Sequence, residues 1–502
     1  MSIPKEIKRI ADVFQEKGFE AYAVGGCVRD LLLGKKPKDW DIATNALPEQ
    51  IQEIFPESFY ENKYGTVGVK TGSEDESLKI VEVTTYRVDE KYSDKRHPDE
   101  VRFTGNLQED LARRDFTINA MALRPGSGRP GVKHNFEIFD PFSGQEDLKN
   151  GIIRAVGDPR ERFNEDALRM MRAVRFAVQL DVKLVSQAVK PGSIGFTIEE
   201  KTAQALQKNA KGLEMIAKER INDEFNKILM SDRPDQGILM LHDLGLLQYI
   251  IPELEKGVGV AQNRHHIYTI FEHNVLSLKF AAQKKFNLAV RLAALLHDIA
   301  KPQTKRGEGP DATFYNHQML GARTAAKILS RLRYSREMID RVANLVYNHM
   351  FVYDIGAVTE AGVRRLLRRV GPKNINDLLA VRIADRLGSG VPKAQPYRLR
   401  HFQYMVEKVQ RDPISVKMLK VNGNDLMKLL EIQPGPKIGA ILDTLLAEVI
   451  EDPAKNEKEY LENRAKELNE LDLSEIRKMA KERIREEREA EDKEIKKRYW
   501  VE

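Results

Sequence analysis

Val24-Gly25-Gly26-Cys27-Val28-Arg29-Asp30-Leu31-Leu32-Leu33-Gly34, followed closely by Asp39-Trp40-Asp41-Ile42-Ala43-Thr44, decides how the front of this 502-residue chain folds. The β-rich run Ala21–Val24 closes on a glycine pair, and a helix opens behind it. Glycines at such a junction let the backbone approach a ligand, and a helix N-terminus offers unpaired N–H groups to a phosphate. Alone, the junction is an ordinary tight turn. Asp39-Trp40-Asp41 reads as a strand, where residues i and i+2 share a face. Two carboxylates about 6–7 Å apart on that face repel unless a cation or water lies between them. Carboxylate-held Mg²⁺ pairs recur in in-line phosphoryl transfer. Taken with the glycine turn, the pair points to that chemistry, with Asp39 and Asp41 as ligands.

Working outward, further strands are expected at Thr66–Thr71, Lys79–Tyr86 and Thr117–Leu123, separated by glycine and proline turns. Beyond Asp158 the pattern turns to long stretches of helical period. The expected class is α+β, a mixed-sheet head on an all-helical remainder. The divisions expected are a head at 1–155, a helical neck at 156–255, a middle domain at 256–400 and a C-terminal body and tail at 401–502. Arg87–Asn106 and Leu123–His134 are polar and read as exposed loops. The last fifty residues are dense in Glu, Lys and Arg, and suit a long marginal helix or partial disorder.

Composition narrows the classes. No run of about 18 apolar residues is present, so no membrane partner is expected. Met1–Lys17 reads as an amphipathic helix with Ile7, Ile10 and Phe14 on one face, without the apolar core of a secretory signal. Cytoplasmic residence is the default. One cysteine, Cys27, excludes an internal disulfide and a cysteine metal cluster. The net charge of +6 rests on 82 basic and 76 acidic side chains, so any grip on nucleic acid must be local. Arg364, Arg365, Arg368 and Arg369 form one basic cluster at helical spacing; a solvated helix face explains it equally.

Asp166 and Arg169 stand three apart in an expected helix from Asn164 to Leu180 and so share a face. Cytosine and adenine each present an amino donor beside a ring-nitrogen acceptor, whereas uracil and guanine put a carbonyl where the amino group would be. A carboxylate beside a guanidinium therefore takes C and A and leaves U or G facing an unpaired charge. Unpaired buried groups cost about 1–3 kcal/mol each, enough for ten- to more than a hundredfold selection. Arg172 and Arg175 continue along the helix as candidate phosphate contacts, Arg175 equally as an ion-pair partner.

Gly25–Asp30 through Asp39–Thr44 resembles the nucleotidyltransferase signature of bacterial-type (class II) CCA tRNA nucleotidyltransferases and poly(A) polymerases. Arg113-Arg114-Asp115-Phe116-Thr117-Ile118-Asn119-Ala120 is similar to the second motif of that family, Glu165-Asp166-Ala167-Leu168-Arg169 to its nucleotide-selecting motif, and Glu219-Arg220-Ile221 to its neck motif. The resemblance implies a polymerase-β-like head in which Asp39 and Asp41 hold Mg²⁺, with Glu82 a candidate third carboxylate. It implies nucleotide binding by Gly25, Gly26, Arg29, Arg114, Asp115 and Asn119, with Asp115 a candidate sensor of the 2′-hydroxyl, and base choice by the protein without a nucleic-acid template. CTP, ATP and tRNA are then the expected partners. Lys63-Tyr64-Gly65-Thr66-Val67-Gly68-Val69 resembles the CCA-adding branch more than the poly(A) branch. Leu419–Leu426 and Gln433–Gly439 resemble the body and tail that grip the tRNA elbow, where Lys437 and a helix N-terminus suit one phosphate. Poly(A), A-only or CC-only addition is the alternative, and the Arg87–Asn106 loop is a candidate C-to-A switch.

In the middle domain His273, His297-Asp298, His317, His349 and Asp385 come from several expected helices. Imidazoles and carboxylates so placed suit one or two divalent metals, Mg²⁺ or a transition metal, with an activated water. The pattern resembles the HD phosphohydrolase superfamily, which implies phosphatase or phosphodiesterase activity, with 2′,3′-cyclic phosphates or damaged tRNA ends as candidate substrates. A phosphohydrolase with an inert head and a tRNA chaperone without chemistry are the readings from other classes.

Overall fold

The computed structural model describes residues 3–62, 64–90, 100–125, 136–180, 195–263, 267–390, 395–411 and 419–501. The chain forms two compact units, Met1–His349 with Ala380–Val391, and Met350–Leu379 with Pro392–Glu502.

The strands of the head are β1 (Ala21–Val24), β2 (Asp41–Thr44), β3 (Ser58–Asn62), β4 (Thr66–Lys70), β5 (Ile80–Thr85), β6 (Arg87–Glu90), β7 (Glu100–Phe103), β8 (Ala122–Pro125) and β9 (Phe136–Phe139). Seven of them form one mixed sheet in the order β3-β4-β5-β2-β1-β8-β9. At its centre β2 pairs antiparallel with β1 and parallel with β5. The amphipathic helix α1 (Lys5–Glu16) buries Ile7, Ile10, Ala11 and Phe14, and lies against β1 and β8. The other helices around the sheet are α2 (Gly26–Leu32), α3 (Pro48–Ile54), α4 (Leu107–Ala112) and α5 (Gly144–Asn150).

Two expectations in the head are corrected. Thr117–Asn119 is a 3₁₀ turn, and the strand begins only at Ala122. The cause is polar: Thr117 Oγ1 donates to Asp147 Oδ2, thirty residues on, at 2.7 Å and Asn119 Nδ2 to Asp115 Oδ1 at 3.0 Å, tertiary and local side-chain bonds that override the β-propensity of Thr-Ile. The Arg87–Asn106 segment is not all loop, because β6 and β7 pair as an antiparallel ribbon. Asp94–Pro98 lie outside the described residues, as do 126–134 of the Leu123–His134 loop; its first three residues belong to β8.

From residue 159 onward the described residues are mostly helical. In the first unit run α6 (Pro159–Glu165), α7 (Leu168–Gln179), α8 (Glu200–Asn209), α9 (Lys218–Leu229), α10 (Pro234–Asp243), α11 (Pro252–Glu255), α12 (Ile270–Gln283), α13 (Leu288–Leu296), α14 (Lys301–Thr304), α15 (His317–Arg331) and α16 (Arg336–Asn348). They are followed by α17 (Glu360–Val370) and α18 (Ile375–Gly388), whose second half returns to the first unit. The expected helix Asn164–Leu180 is broken: Asp166 is extended at φ −141°, and its side chain accepts from Leu168 N at 3.0 Å, restarting the chain as α7. An aspartate that captures the amide two residues on competes with helix continuation.

In the second unit α17 buries Val363, Leu366, Leu367 and Val370, and turns Arg364, Arg365, Arg368 and Arg369 outward. The helices that follow are α19 (Tyr397–Arg411), α20 (Gly423–Leu430), α21 (Pro436–Glu451), α22 (Lys458–Asn469) and α23 (Leu473–Tyr499). Leu426, Ile441, Leu445, Leu461, Leu468 and Ile476 form the core of α20 to α23. Asn422 caps α20 in a reciprocal box with Asp425. Lys437 donates to the carbonyl of Asn469 at 2.7 Å, so this lysine ties one helix to another. The charged end of the chain is helical through Tyr499. No described helix is long and apolar enough to cross a membrane.

Candidate active sites

At the head, the glycine turn and the carboxylates meet. Gly25 precedes α2 with φ +77°, a backbone that side chains rarely adopt. A Cβ there would lie 2.6 Å from Arg114 Nη1 and 3.8 Å from Asp41 Oδ2, so the glycine makes room for an arginine beside a carboxylate. Asp41 opens β2 and pairs in register with Glu82 of β5; registered neighbours share a face, and Glu82 stands beside Asp41. Asp39 is not in the strand as expected. Trp40 is buried, and the chain enters the sheet only after it, leaving Asp39 exposed in the bend before β2. Asp39, Asp41 and Glu82 offer hard oxygen donors of the kind Mg²⁺ takes. Cys27, behind them, donates its thiol to Val24 O, and burial pushes that thiol up to about 12, so it is inert.

A run of polar contacts continues from this turn. Arg29 pairs with Asp30 at 2.8 Å and donates to Asn119 Oδ1 at 2.7 Å. Asn119 donates to Asp115 Oδ1, and Arg172 grips Asp115 Oδ2 at 2.7 Å. Burial raises the Asp115 carboxyl, but the Arg172 guanidinium and the Asn119 amide outweigh it and hold the group at about 2. The structure thus joins four of the expected nucleotide-binding residues, Arg29, Asn119, Asp115 and Arg172. Arg175 is turned elsewhere, into a buried ion pair with Glu224 of α9 at 2.8 Å. Burial lowers its guanidinium to about 10 against the pull of Glu224.

Asp166 stands in the α6–α7 break, and Arg169 follows in the first turn of α7, its N–H donating to the Asp166 carbonyl at 3.1 Å. Each is held separately. Arg220 of α9 contacts both carboxylate oxygens of Asp166, at 2.7 and 3.3 Å. Arg169 donates to Glu165 Oε2 at 2.7 Å and to the carbonyls of Arg162 and Arg113. A carboxylate has about four lone-pair sites and a guanidinium five N–H groups. These bonds and that from Leu168 N leave an acceptor site on Asp166 and donors on Arg169. Both keep the capacity to read a base edge.

In the middle of the chain, all six expected ligands converge. His273 Nε2 lies 2.9 Å from His297 Nε2, 3.5 Å from Asp298 Oδ2 and 3.3 Å from Asp385 Oδ1. His317 Nε2 lies 3.4 Å from Asp298 Oδ1 and 3.3 Å from His349 Nε2. Asp298 therefore faces two sets of donors, His273 with His297, and His317 with His349. The residues fit divalent metal. His297, His317 and His349 turn Nδ1 to the carbonyl three residues earlier, at 2.7–2.9 Å, which orients each Nε2 lone pair inward. Asp298 Oδ1 is buried without a hydrogen-bond donor. Burial lowers the His317 imidazole and drives that of His349 down to about 3, keeping both neutral as metal ligands must be. His297 differs: burial lowers it, but the Asp298 carboxylate more than compensates, and the net shift is upward.

Sequence reasoning missed five partners. Arg220 was visible in the neck motif but had no assigned contact, and Glu224 follows it one helix turn later. Lys301 meets Asp298 Oδ2 at 2.6 Å and Gln262 at 2.7 Å, and Arg382 meets Asp385 Oδ2 at 2.7 Å. The three-residue spacing of Asp298–Lys301 and Arg382–Asp385 was the available signal.

Comparison with known proteins gives family matches in three stretches of the chain. Residues 21–154 match the family "Poly A polymerase head domain", 195–257 "Probable RNA and SrmB- binding site of polymerase A", and 313–465 a model for tRNA nucleotidyltransferase domain 2. A CCA-adding enzyme of Enterococcus faecalis is 34% identical over 473 residues, covering 93% of this chain and 97% of the relative. One of Ligilactobacillus salivarius is 33% identical over 477 residues, covering 93% and 98%. Among solved structures, the Bacillus stearothermophilus CCA-adding enzyme in complex with CTP superposes with a TM-score of 0.56 at 27% identity, covering 93% of this chain and 98% of the other. A Thermotoga maritima CCA-adding enzyme complexed with tRNA shares the fold at a TM-score of 0.51 and 21% identity, covering 92% and 94%.

Proposed function

The chain belongs to the CCA-adding enzymes, nucleotidyltransferases that complete the 3′ end of tRNA, and from that membership we propose how its residues divide the work. Asp39, Asp41 and Glu82 hold Mg²⁺ in the head. Metal bound there would supply charge stabilisation for the attacking and leaving oxygens of an in-line displacement. The glycine turn and Arg114 receive the triphosphate of CTP or ATP, and Arg29 and Arg172 flank it. Asp115, kept ionised, accepts from the ribose 2′-hydroxyl, with Asn119 orienting it. Asp166 accepts from the amino group of cytosine or adenine while Arg169 donates to the ring nitrogen. No template strand is needed, since the protein supplies the complementary edge.

The observation that carries this reading is the meeting of Gly25, Arg114 and Asp41 at one point of the sheet, with the base-reading pair held apart from it by its own partners. The tRNA lies along the helical remainder, and the enzyme works in the cytoplasm. Incorporation from each labelled NTP into tRNA ending before CCA tests it, with Asp41→Ala as the metal-deficient control.

The six-residue centre of His273, His297, Asp298, His317, His349 and Asp385 favours a second activity. We read it as an HD-type phosphohydrolase site for 2′,3′-cyclic phosphates or damaged tRNA ends. A divalent ion bound there would supply an activated water at neutral pH. Arg382 holds the Asp385 oxygen turned away from His273, and Lys301 meets Asp298 Oδ2, the oxygen that also faces His273 and His297, so both carboxylates are oriented before any ion binds. Phosphate release from 2′,3′-cyclic nucleotides, lost in His297→Ala, tests this second site.

A further inference from the structure

We propose that Phe176 is a positioning residue for nucleotide binding, a buried ring on which three arginines converge; the inference rests on the nucleotide-binding roles of Arg29 and Arg172 given above. Phe176 lies on α7 and is 4% exposed. The guanidinium carbons of Arg29, Arg172 and Arg175 stand 5.1, 5.4 and 4.3 Å from its ring centroid. Phe116, next to Asp115, meets the same ring edge to face, at 5.8 Å and 83°. Arg172 is one helix turn before Phe176 and shares its face. Arg29 arrives from α2, the helix that opens at the glycine turn.

Three like charges around one ring repel one another, and carboxylates offset that only in part. Each guanidinium has an acidic partner, Asp30, Asp115 or Glu224. More acids would compete with the triphosphate for the same N–H donors. An aromatic face attracts a cation within about 6 Å of its centroid through its quadrupole and accepts none of those N–H groups in a conventional hydrogen bond. The ring therefore fixes the planes of Arg29 and Arg172 while leaving donors for phosphate oxygens. Arg175, committed to Glu224, braces the ring against α9. The effect belongs to ground-state binding shared by both nucleotides, because the buried ring acts through Arg29 and Arg172.

The test replaces Phe176 in the full-length enzyme with mono-, di- and trifluorinated phenylalanines, which keep its shape and progressively weaken the negative face. The KM for CTP and for ATP should climb together along the series, about three- to tenfold in all, with kcat and Tm unchanged. Phe176→Leu should raise both KM values by about fivefold or more. Arg29→Ala and Arg172→Ala are measured alongside. If both raise KM while the fluorinated series stays flat, the ring is only packing and the proposal fails. If neither arginine variant moves KM, the underlying nucleotide assignment fails instead.

Discussion

Arg220 clasps Asp166 with both terminal nitrogens, Nη2 to Oδ2 at 2.7 Å and Nη1 to Oδ1 at 3.3 Å. The clasp holds Asp166 in the break before α7, and it makes α9 the element that aims the carboxylate proposed to read the base. A two-point grip fixes both the position and the plane of the acceptor.

Arg220→Gln should therefore lower fidelity more than it lowers stability. With the carboxylate free to rotate, misincorporation of UMP should rise at least about tenfold, the equivalent of about 1.4 kcal/mol of discrimination. Lysine should restore charge without restoring the two-point geometry, and fidelity should stay low. Single-nucleotide incorporation with CTP against UTP measures both variants. Fidelity equal to wild type in Arg220→Gln would show that Asp166 is aimed by something else.

Gly25→Ala places a methyl group where Arg114 Nη1 now lies, in a backbone at φ +77°. The backbone alone costs about 1–3 kcal/mol, and the displaced guanidinium loses its place beside Asp41. Nucleotide addition should fall at least about a hundredfold, with CD and gel filtration showing a folded protein. Near-normal addition would mean that Arg114 does not act from that position.

How far the chain could be read without coordinates varies by element. β1 and the amphipathic helix α1 carry clean periods and fall where expected. The α6–α7 break does not show in the apolar pattern, because Phe163, Ala167, Met170 and Val174 keep a helical period across it while one aspartate side chain ends the helix locally. The β6–β7 ribbon was hidden for the opposite reason, having few apolar residues to mark a period. The six metal-ligand candidates were legible because imidazoles and carboxylates in that density have few other uses; what stayed illegible was their second layer, Lys301, Gln262 and Arg382. For Lys301 and Arg382 the three-residue spacing to their aspartates was the one signal, and Gln262 meets Lys301 only through the packing of segments distant in sequence.

The acid limb of stability should carry a signature of Asp115. Its folded carboxyl is depressed from 3.8 to about 2, so the stabilisation is present above about pH 4 and is lost as pH falls towards 2. Asp115→Asn should be less stable than wild type at pH 5 by about 2 kcal/mol, and the gap should narrow below pH 4. Urea midpoints at several pH values read this directly. A gap independent of pH would refute the ion pair with Arg172 as its source.

The histidine centre should be separable from the head. Elemental analysis of purified protein loaded with Mn²⁺ should give one or two ions per chain that survive desalting, and Asp298→Asn should retain markedly fewer because Asp298 serves both sets of donors. His297→Ala should abolish phosphate release from 2′,3′-cyclic nucleotides and leave C and A addition to tRNA within about twofold, since distant sites in separate networks are nearly independent. Unchanged release in His297→Ala would remove the phosphohydrolase assignment.

The most direct test of the central claim is a gel assay of tRNA ending before CCA, incubated with Mg²⁺ and each labelled NTP, comparing wild type with Asp41→Ala. Wild type should add two C and one A to tRNA alone and stop, and Asp41→Ala should add nothing measurable. A long A tail on unrelated RNA, or undiminished addition by Asp41→Ala, would contradict the account.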